Sequence, residues 1–303
     1  LPWLRCARGK AARPKTRNYY LARALRILPL YLTAVALATL ASGNWGAGLR
    51  AALFQFVGFE IFPYSVVWWT LLTEVQFYLL LPLFWLAWLH PGWPRRALQL
   101  VLAAWLISYL WIFVYPGLDA APGPYWLTKS LFGRLPAFLT GMLAAHAYLA
   151  WRDRWRSRTA GWLGLAALIL AWLMLGGLLH RVIALGEARA EWAWHLHHSW
   201  EALCWAVVIL ALLLAPLPGR AVLVNRPLAV LGKLSYSLYL NHVPVLFFLI
   251  YGARTRLGDG AYTDSAWAYL VPLLGLAVSL LLAFATYRWI ELPFLNLKHR
   301  LSP

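Results

Sequence analysis

The chain has 303 residues, of which 62% are hydrophobic and 12% charged. A soluble domain of this length carries about 25% charged residues, so an ordinary globular class is excluded and most of the chain must meet lipid. The net charge of +17 does not make it a nucleic-acid binder, because the basic residues are scattered between apolar runs and form no single stripe.

Further composition agrees. Twenty Trp suit membrane–water interfaces, where one end of the ring is wet. The two cysteines, Cys6 in a basic segment and Cys204 in an apolar run, do not make a disulfide framework. The first residues, Leu1-Pro2-Trp3-Leu4, read as the end of a preceding helix and carry no signal-peptide pattern.

A bilayer core needs about 20 predominantly apolar residues per helix. Eight runs qualify, at roughly 27–42, 65–89, 97–115, 131–150, 160–179, 199–216, 228–251 and 267–290. The expectation is an all-α, polytopic transmembrane helical bundle. Ahead of the first run, Arg5, Arg8, Lys10, Arg13, Lys15, Arg17, Arg23 and Arg26 crowd one loop. Such a loop sets topology and attracts anionic lipid. Arg23 and Arg26 differ from the rest: at i, i+3 on the start of a helix, their two guanidiniums make a clamp for a phosphate. Segment 49–64 is apolar but short and holds Pro63, which suits an interfacial or re-entrant piece.

Ionisable groups inside spans need a reason to be there, since each costs several kcal/mol at mid-membrane. In 65–89, Thr70, Thr73, Glu74, Phe77 and Tyr78 share one helix face. That stripe is either a hydrogen-bonding seam, with Glu74 protonated or paired to an Arg, or a functional carboxylate site. In 131–150, snorkelling explains Arg134 and His146. His195, His197 and His198 suggest a metal, but no further Cys or carboxylate is read at ligand spacing, so no metal is expected. In 228–251, Ser235, Tyr239 and His242 share a face; His242 is a packing residue or a base or donor. Arg288 and Glu291 are three apart at a helix exit and are expected to pair.

Alternating the loops gives 20 Lys and Arg on one side and 7 on the other. The richer side is cytoplasmic, so both ends of the chain are expected there, in the inner (plasma) membrane.

Five segments, in order, resemble one family. Trp69-Thr-Leu-Leu-Thr-Glu74-Val-Gln-Phe77-Tyr78-Leu-Leu-Leu-Pro82 resembles the W-S-L-x-x-E-x-x-F-Y-L-x-x-P signature of the acyltransferase 3 family, multi-span enzymes that O-acylate bacterial surface sugars. Leu231-Gly232-Lys-Leu-Ser235-Tyr236-Ser-Leu-Tyr239-Leu-Asn-His242-Val-Pro244 is similar to its L-G-x-x-S-Y-x-x-Y-L-x-H-x-P segment. The remaining three are Arg23-Ala-Leu-Arg26-Ile-Leu-Pro29-Leu-Tyr31, Arg134-Leu-Pro-Ala-Phe138-Leu-Thr-Gly141-Met-Leu and Tyr287-Arg288-Trp-Ile-Glu291-Leu-Pro293-Phe294. No motif is matched over 151–227. Two departures are Thr70 for the usual Ser and Asn241 for an aromatic.

The resemblance implies a ten-helix fold whose first helix carries an Arg and, eleven positions on, a His that serves as catalytic base. Here only Arg288 and His299 have that spacing, with Pro293 between them. The expectation is therefore a single membrane-embedded acyltransferase domain over 1–303 that represents the last eight helices, with the principal base upstream of residue 1. The resemblance also implies acyl transfer, acetyl above all, from cytoplasmic acyl-CoA to a sugar hydroxyl of a surface or exported polysaccharide or glycolipid. Acyl-CoA would be a co-substrate, with no bound cofactor. Arg23 and Arg26 would hold the donor; Glu74 and His242 would serve catalysis; Tyr78, Ser235 and Tyr239 would bind substrate. The rival classes are a transporter or flippase for a lipid-linked sugar or small anion, which would also use embedded Glu and His, and a non-catalytic membrane partner. No internal repeat supports the transporter.

Overall fold

The computed structural model describes Cys6 and residues 15–113, 125–155, 157–185 and 191–301. Arg5, Arg8, Lys10 and Arg13 of the basic loop lie outside the described residues, as does Leu1-Pro2-Trp3-Leu4. Among the described residues the regular structure is helical, with no strand. The helices of eight residues or more are α1 Thr16–Ser42, α2 Trp45–Ala52, α3 Trp68–Leu89, α4 Trp93–Phe113, α5 Leu131–Trp151, α6 Arg158–Leu185, α7 Glu191–Leu214, α8 Arg226–Leu257, α9 Trp267–Thr286 and α10 Leu292–Leu301.

Seven stretches among the described residues are long and apolar enough to cross a membrane: Thr16–Ser42, Tyr64–Leu89, Trp93–Phe113, Arg158–Ala184, His197–Leu214, Arg220–Leu257 and Trp267–Leu297. The chain is a multi-pass membrane protein. Helix α5, read from the sequence as a further span, has 21 residues but is diluted by Arg134, Pro136 and His146. Large side chains stay on the outside of these helices, including Leu143, Trp162, Trp172, Leu173, Leu281 and Trp289. Apolar surface on that scale suits lipid and not water.

The chain divides into two compact units, one of Lys15–Tyr78 with Arg226–Pro303 and the other of Leu1–Pro14 with Leu79–Asn225. The division falls within α3.

In the first unit, α1 begins at Thr16, ahead of the apolar run at 27, so Arg23 and Arg26 stand on the helix as their i, i+3 spacing implies. Ala, Leu and Arg are good helix formers, which favours that early start. Pro29 lies within α1. Gly43 ends the helix at φ 70°, where its N–H bonds Thr39 O at 2.8 Å; the left-handed conformation favours glycine. Asn44 then caps α2, accepting from Ala47 N at 3.1 Å. Helix α2 folds back on α1 because Gly48 has no side chain: a Cβ there would lie 2.1 Å from Thr39 Oγ1. Tyr31 secures the same contact by donating to Ala51 O at 2.8 Å. Segment 49–64 is thus part of a short helix followed by turns, and it is not a span.

The core of this unit joins Ile27, Leu30, Tyr31 and Val35 of α1 to Ala47 and Ala51 of α2, Trp68 and Leu71 of α3 and Leu240 of α8. Helix α8 packs extensively on α9. Gly275 admits Leu246 there, whose Cδ2 lies 2.5 Å from where a Cβ would stand. Asn241 bridges the same pair, donating to Thr286 Oγ1 at 3.1 Å. A π turn, Tyr287–Glu291, joins α9 to α10. It changes one expectation: Glu291 is buried and takes Ser237 Oγ as its partner, and no ion pair with Arg288 forms within 4.0 Å.

In the second unit, α5 and α6 both pack on α7. Helix α6 approaches the end of α7 through two glycines. A Cβ on Gly161 would stand 2.6 Å from Pro216 O, and one on Gly164 2.3 Å from Ala215 Cβ. Helices α4 and α5 are tied by Trp105 Nε1, which donates to Phe132 O at 3.0 Å. Cys6 and Cys204 are both free thiols.

These glycines give a contrast within one helix. Gly161→Ala forces a methyl against a backbone oxygen and is expected to cost about 1–3 kcal/mol, read as a lower Tm in detergent. Gly176→Ala has no atom within 4 Å of the new methyl and is expected to leave Tm unchanged or slightly raised. Equal Tm values for the two variants would contradict the close α6–α7 approach.

Candidate functional site

Three helices of the first unit enclose a cavity of about 560 Å³. Helix α1 contributes Arg23, Arg26 and Ile27; α3 contributes Thr70, Leu71, Glu74 and Tyr78; α8 contributes Ser235, Tyr236 and Tyr239. Each set follows helical spacing. Ile27 and Leu71, at 5% and 2% exposure, lock their faces into the core. That anchoring leaves the neighbouring polar residues no choice but the cavity wall.

The polar groups are tied to one another. Tyr78 donates its hydroxyl to Glu74 Oε2 at 3.1 Å. The Arg23 guanidinium carbon sits 4.8 Å from the centroid of the Tyr78 ring and 5.6 Å from that of Tyr19, within the range of cation–π attraction. Arg23 therefore stacks on the ring whose hydroxyl holds the carboxylate. Among the described residues, no Lys or Arg nitrogen lies within 4.0 Å of Glu74, and neither Arg23 nor Arg26 makes an ion pair at that distance. An Arg-paired seam at Glu74 does not form among the described residues; Glu74 accepts from a phenol and lines the cavity. The two guanidiniums keep their capacity for an anionic ligand.

Opposite, Tyr239 OH donates to Val67 O at 2.9 Å and contacts Thr70 Oγ1, which itself lies 3.0 Å from the same carbonyl. The Val67 carbonyl has two lone pairs and can accept from both hydroxyls. Thr70, in the place where the resembled signature has Ser, therefore keeps a working hydroxyl. Tyr236 OH donates to Ile27 O at 2.8 Å. Ser235 Oγ donates to Gly232 O at 2.9 Å within its own helix.

Six of the seven site residues named from the sequence line this cavity: Arg23, Arg26, Glu74, Tyr78, Ser235 and Tyr239. His242 does not. Its Nδ1 lies 2.8 Å from Tyr239 O and 3.2 Å from Leu238 O, and its ring centre is 5.9 Å from that of Tyr239. Carbonyl oxygens only accept, so Nδ1 is the donor in these contacts and Nε2 is left for another partner. The α3 stripe also divides: Thr70, Glu74 and Tyr78 line the cavity, while Thr73 is buried at 3% exposure and bonds Trp69 O at 3.0 Å. Tyr236, Ile27 and Leu71 were not singled out from the sequence. For Tyr236 a signal existed, since it stands three residues from Tyr239 and so shares its side of the helix.

The His-rich segment lies in the other unit. His198 Nδ1 is 3.1 Å from Glu201 Oε2, so a carboxylate does stand three residues on, which the sequence reading overlooked. The side chain of His195 lies outside the described residues. Among the described residues, no group of three or more His, Cys, Asp or Glu is placed to hold a metal ion.

Comparison with known proteins adds to the geometry. A family model described as an acyltransferase domain, acyltransferase 3, matches residues 9–288. The O-acetyltransferase OatA of Staphylococcus aureus strain NCTC 8325 / PS 47 is 26% identical over 238 residues, covering 74% of this chain and 35% of that protein. OatA of strains COL and N315 align with the same figures. The chain thus spans about a third (35%) of the length of the curated relatives it matches. No solved structure matches.

The hydroxyl cluster can be tested by stability alone. Thr70→Val removes one member and leaves Tyr239 bonded to Val67, an expected loss of roughly 1 kcal/mol. Tyr239→Phe removes the phenol that spans α3 and α8, and it is expected to lower Tm in detergent by more than Thr70→Val does. The reverse order would mean that the cluster does not join the two helices.

Proposed function

Because the chain belongs to the acyltransferase 3 family, we propose that it transfers an acyl group, acetyl above all, from cytoplasmic acyl-CoA to a hydroxyl of a cell-surface or exported polysaccharide or glycolipid. The observation that carries this reading is one cavity in which two arginines, without ion-pair partners among the described residues, face a tyrosine-held carboxylate. The likeness to proteins named O-acetyltransferase supports it.

The chemistry assigns tasks to these residues. The acceptor oxygen attacks the thioester carbonyl, the C–S bond breaks, and the hydroxyl proton passes to a base and from it to the departing CoA sulfur, which leaves as the thiol. Arg23 and Arg26 bind the donor phosphates, and one of them reaches the catalytic side through Tyr78. Glu74 orients the acceptor or supports the base, since a sugar hydroxyl is a poor nucleophile at neutral pH. Tyr78, Tyr239 and Ser235 supply hydroxyls that can stabilise developing charge in a site poor in water. His242, one turn beyond Tyr239, supports the cavity wall and offers Nε2. Residues 1–303 act as a single membrane-embedded domain, a reading supported by a family match that runs through both compact units. The 20-to-7 bias of basic loop residues supports an inner-membrane location with both ends in the cytoplasm.

Two measurements test the reading, each in membranes holding the natural gene product. Arg23→Ala with Arg26→Ala is expected to raise the acetyl-CoA KM about tenfold or more, since each charge-assisted hydrogen bond is worth roughly 1.5–3 kcal/mol. An unchanged KM would reduce the pair to a topology signal. Glu74→Gln keeps the size and removes the charge, and kcat for labelled acetyl transfer is expected to fall on the order of 100-fold. Near-wild-type kcat would remove Glu74 from the reaction, and glycolipid movement without acetyl transfer would favour a flippase.

A further inference from the structure

Glu291 is the one fully buried carboxylate among the described residues, at 2% exposure, and acyl transfer as laid out above gives it no task. A carboxylate within a membrane-spanning stretch is expensive and calls for a partner. Its position depends on the π turn Tyr287–Glu291. A π turn shifts the side chains that follow out of α register, and such turns are frequent at functional sites. Here the shift brings Oε1 onto Ser237 Oγ of α8, itself fully buried.

The residue before Ser237 faces the other way. Tyr236 donates to Ile27 O at 2.8 Å, and Ile27 directly follows Arg26. Two consecutive residues of α8 therefore hold the arginine-bearing turn of α1 on one side and the buried carboxylate on the other. Helix α1 also packs on the π turn and on α10, so the helix that carries Arg26 lies against the segment that carries Glu291. Arg26 is exposed on the cavity wall, and an exposed arginine samples many rotamers unless something holds its head.

We propose that Glu291, fixed by Ser237, is a positioning residue that holds the Arg26 side of the cavity in its anion-binding arrangement. The inference rests on the donor-site reading of Arg23 and Arg26. Glu291 does not touch the donor. It balances the Arg26 charge from behind, while the Tyr236–Ile27 bond keeps the turn in register with it.

The test is a double-variant cycle on acetyl-CoA kinetics, with Tm recorded for every variant. Glu291→Gln keeps an acceptor for Ser237 and loses the charge. The donor KM is expected to rise about five- to tenfold, with kcat within twofold of wild type. Glu291→Asp, which keeps the charge, is expected to recover most of that loss. In an Arg26→Ala background, Glu291→Gln is expected to add nothing, because its effect passes through Arg26. Ser237→Ala serves as a second route, freeing the carboxylate without discharging it, and should raise the donor KM by a smaller factor. Additive effects of Arg26→Ala and Glu291→Gln, or a fall in kcat at constant KM, would overturn this inference alone. An unchanged donor KM in Arg26→Ala itself would overturn the donor site and this inference together.

Discussion

In hydrocarbon no water is available to satisfy a polar group, so each one must find its partner within the chain. The first compact unit is organised by that demand. Its helices close their own backbone bonds, and several of the polar side chains they carry reach across to a neighbouring segment. Tyr31 reaches Ala51 O, Tyr236 reaches Ile27 O, Tyr239 reaches Val67 O and Asn241 reaches Thr286. These bonds between helices replace much of what apolar burial supplies in water, since lipid tails compete with leucine on equal terms.

The same constraint makes the cavity conspicuous. Most embedded polar groups are paired off in bonds to backbone or to each other. Among the described residues, Arg23 and Arg26 are not neutralised by a carboxylate at ion-pair distance, although Glu74 lines the same cavity. Arg23 instead rests on the face of Tyr78. A site built this way keeps its cations for a ligand while the aromatic ring holds one of them in place. The carboxylate on the far side of the same phenol then senses where that ring sits. Arg23 and Glu74 are thus joined through a single side chain.

Close approach between helices depends on small residues at a few points. Gly48 meets Thr39 in the first unit, and Gly161 and Gly164 meet Pro216 and Ala215 in the second. None of these shows in a hydropathy profile, because glycine is nearly neutral there. They decide which helix faces can touch, and so which faces are left to lipid.

Much of the architecture was legible in the residues alone. Apolar runs of spanning length predict helices whatever their neighbours, because an unpaired backbone is not tolerated in lipid, and helical spacing alone put Glu74 with Thr70 and Tyr78, and Ser235 with Tyr239. What the pattern could not say is how wide a face the cavity takes. Periodicity groups His242 with Ser235 and Tyr239, yet its ring folds back onto its own backbone. It likewise groups Thr73 with Glu74, yet Thr73 is packed away. The pairing of Glu291 was misread because a spacing of three implies a neighbour on a regular α-helix, and the π turn breaks that register. Amino-acid sequence by itself determined that this is an all-helical, multi-pass membrane protein of the acyltransferase 3 type with basic and acidic groups embedded in it. Only the tertiary structure decided which of those groups meet, because contacts between α1, α3 and α8 arise from packing across some 170 to 210 residues of chain, a separation that no local pattern spans.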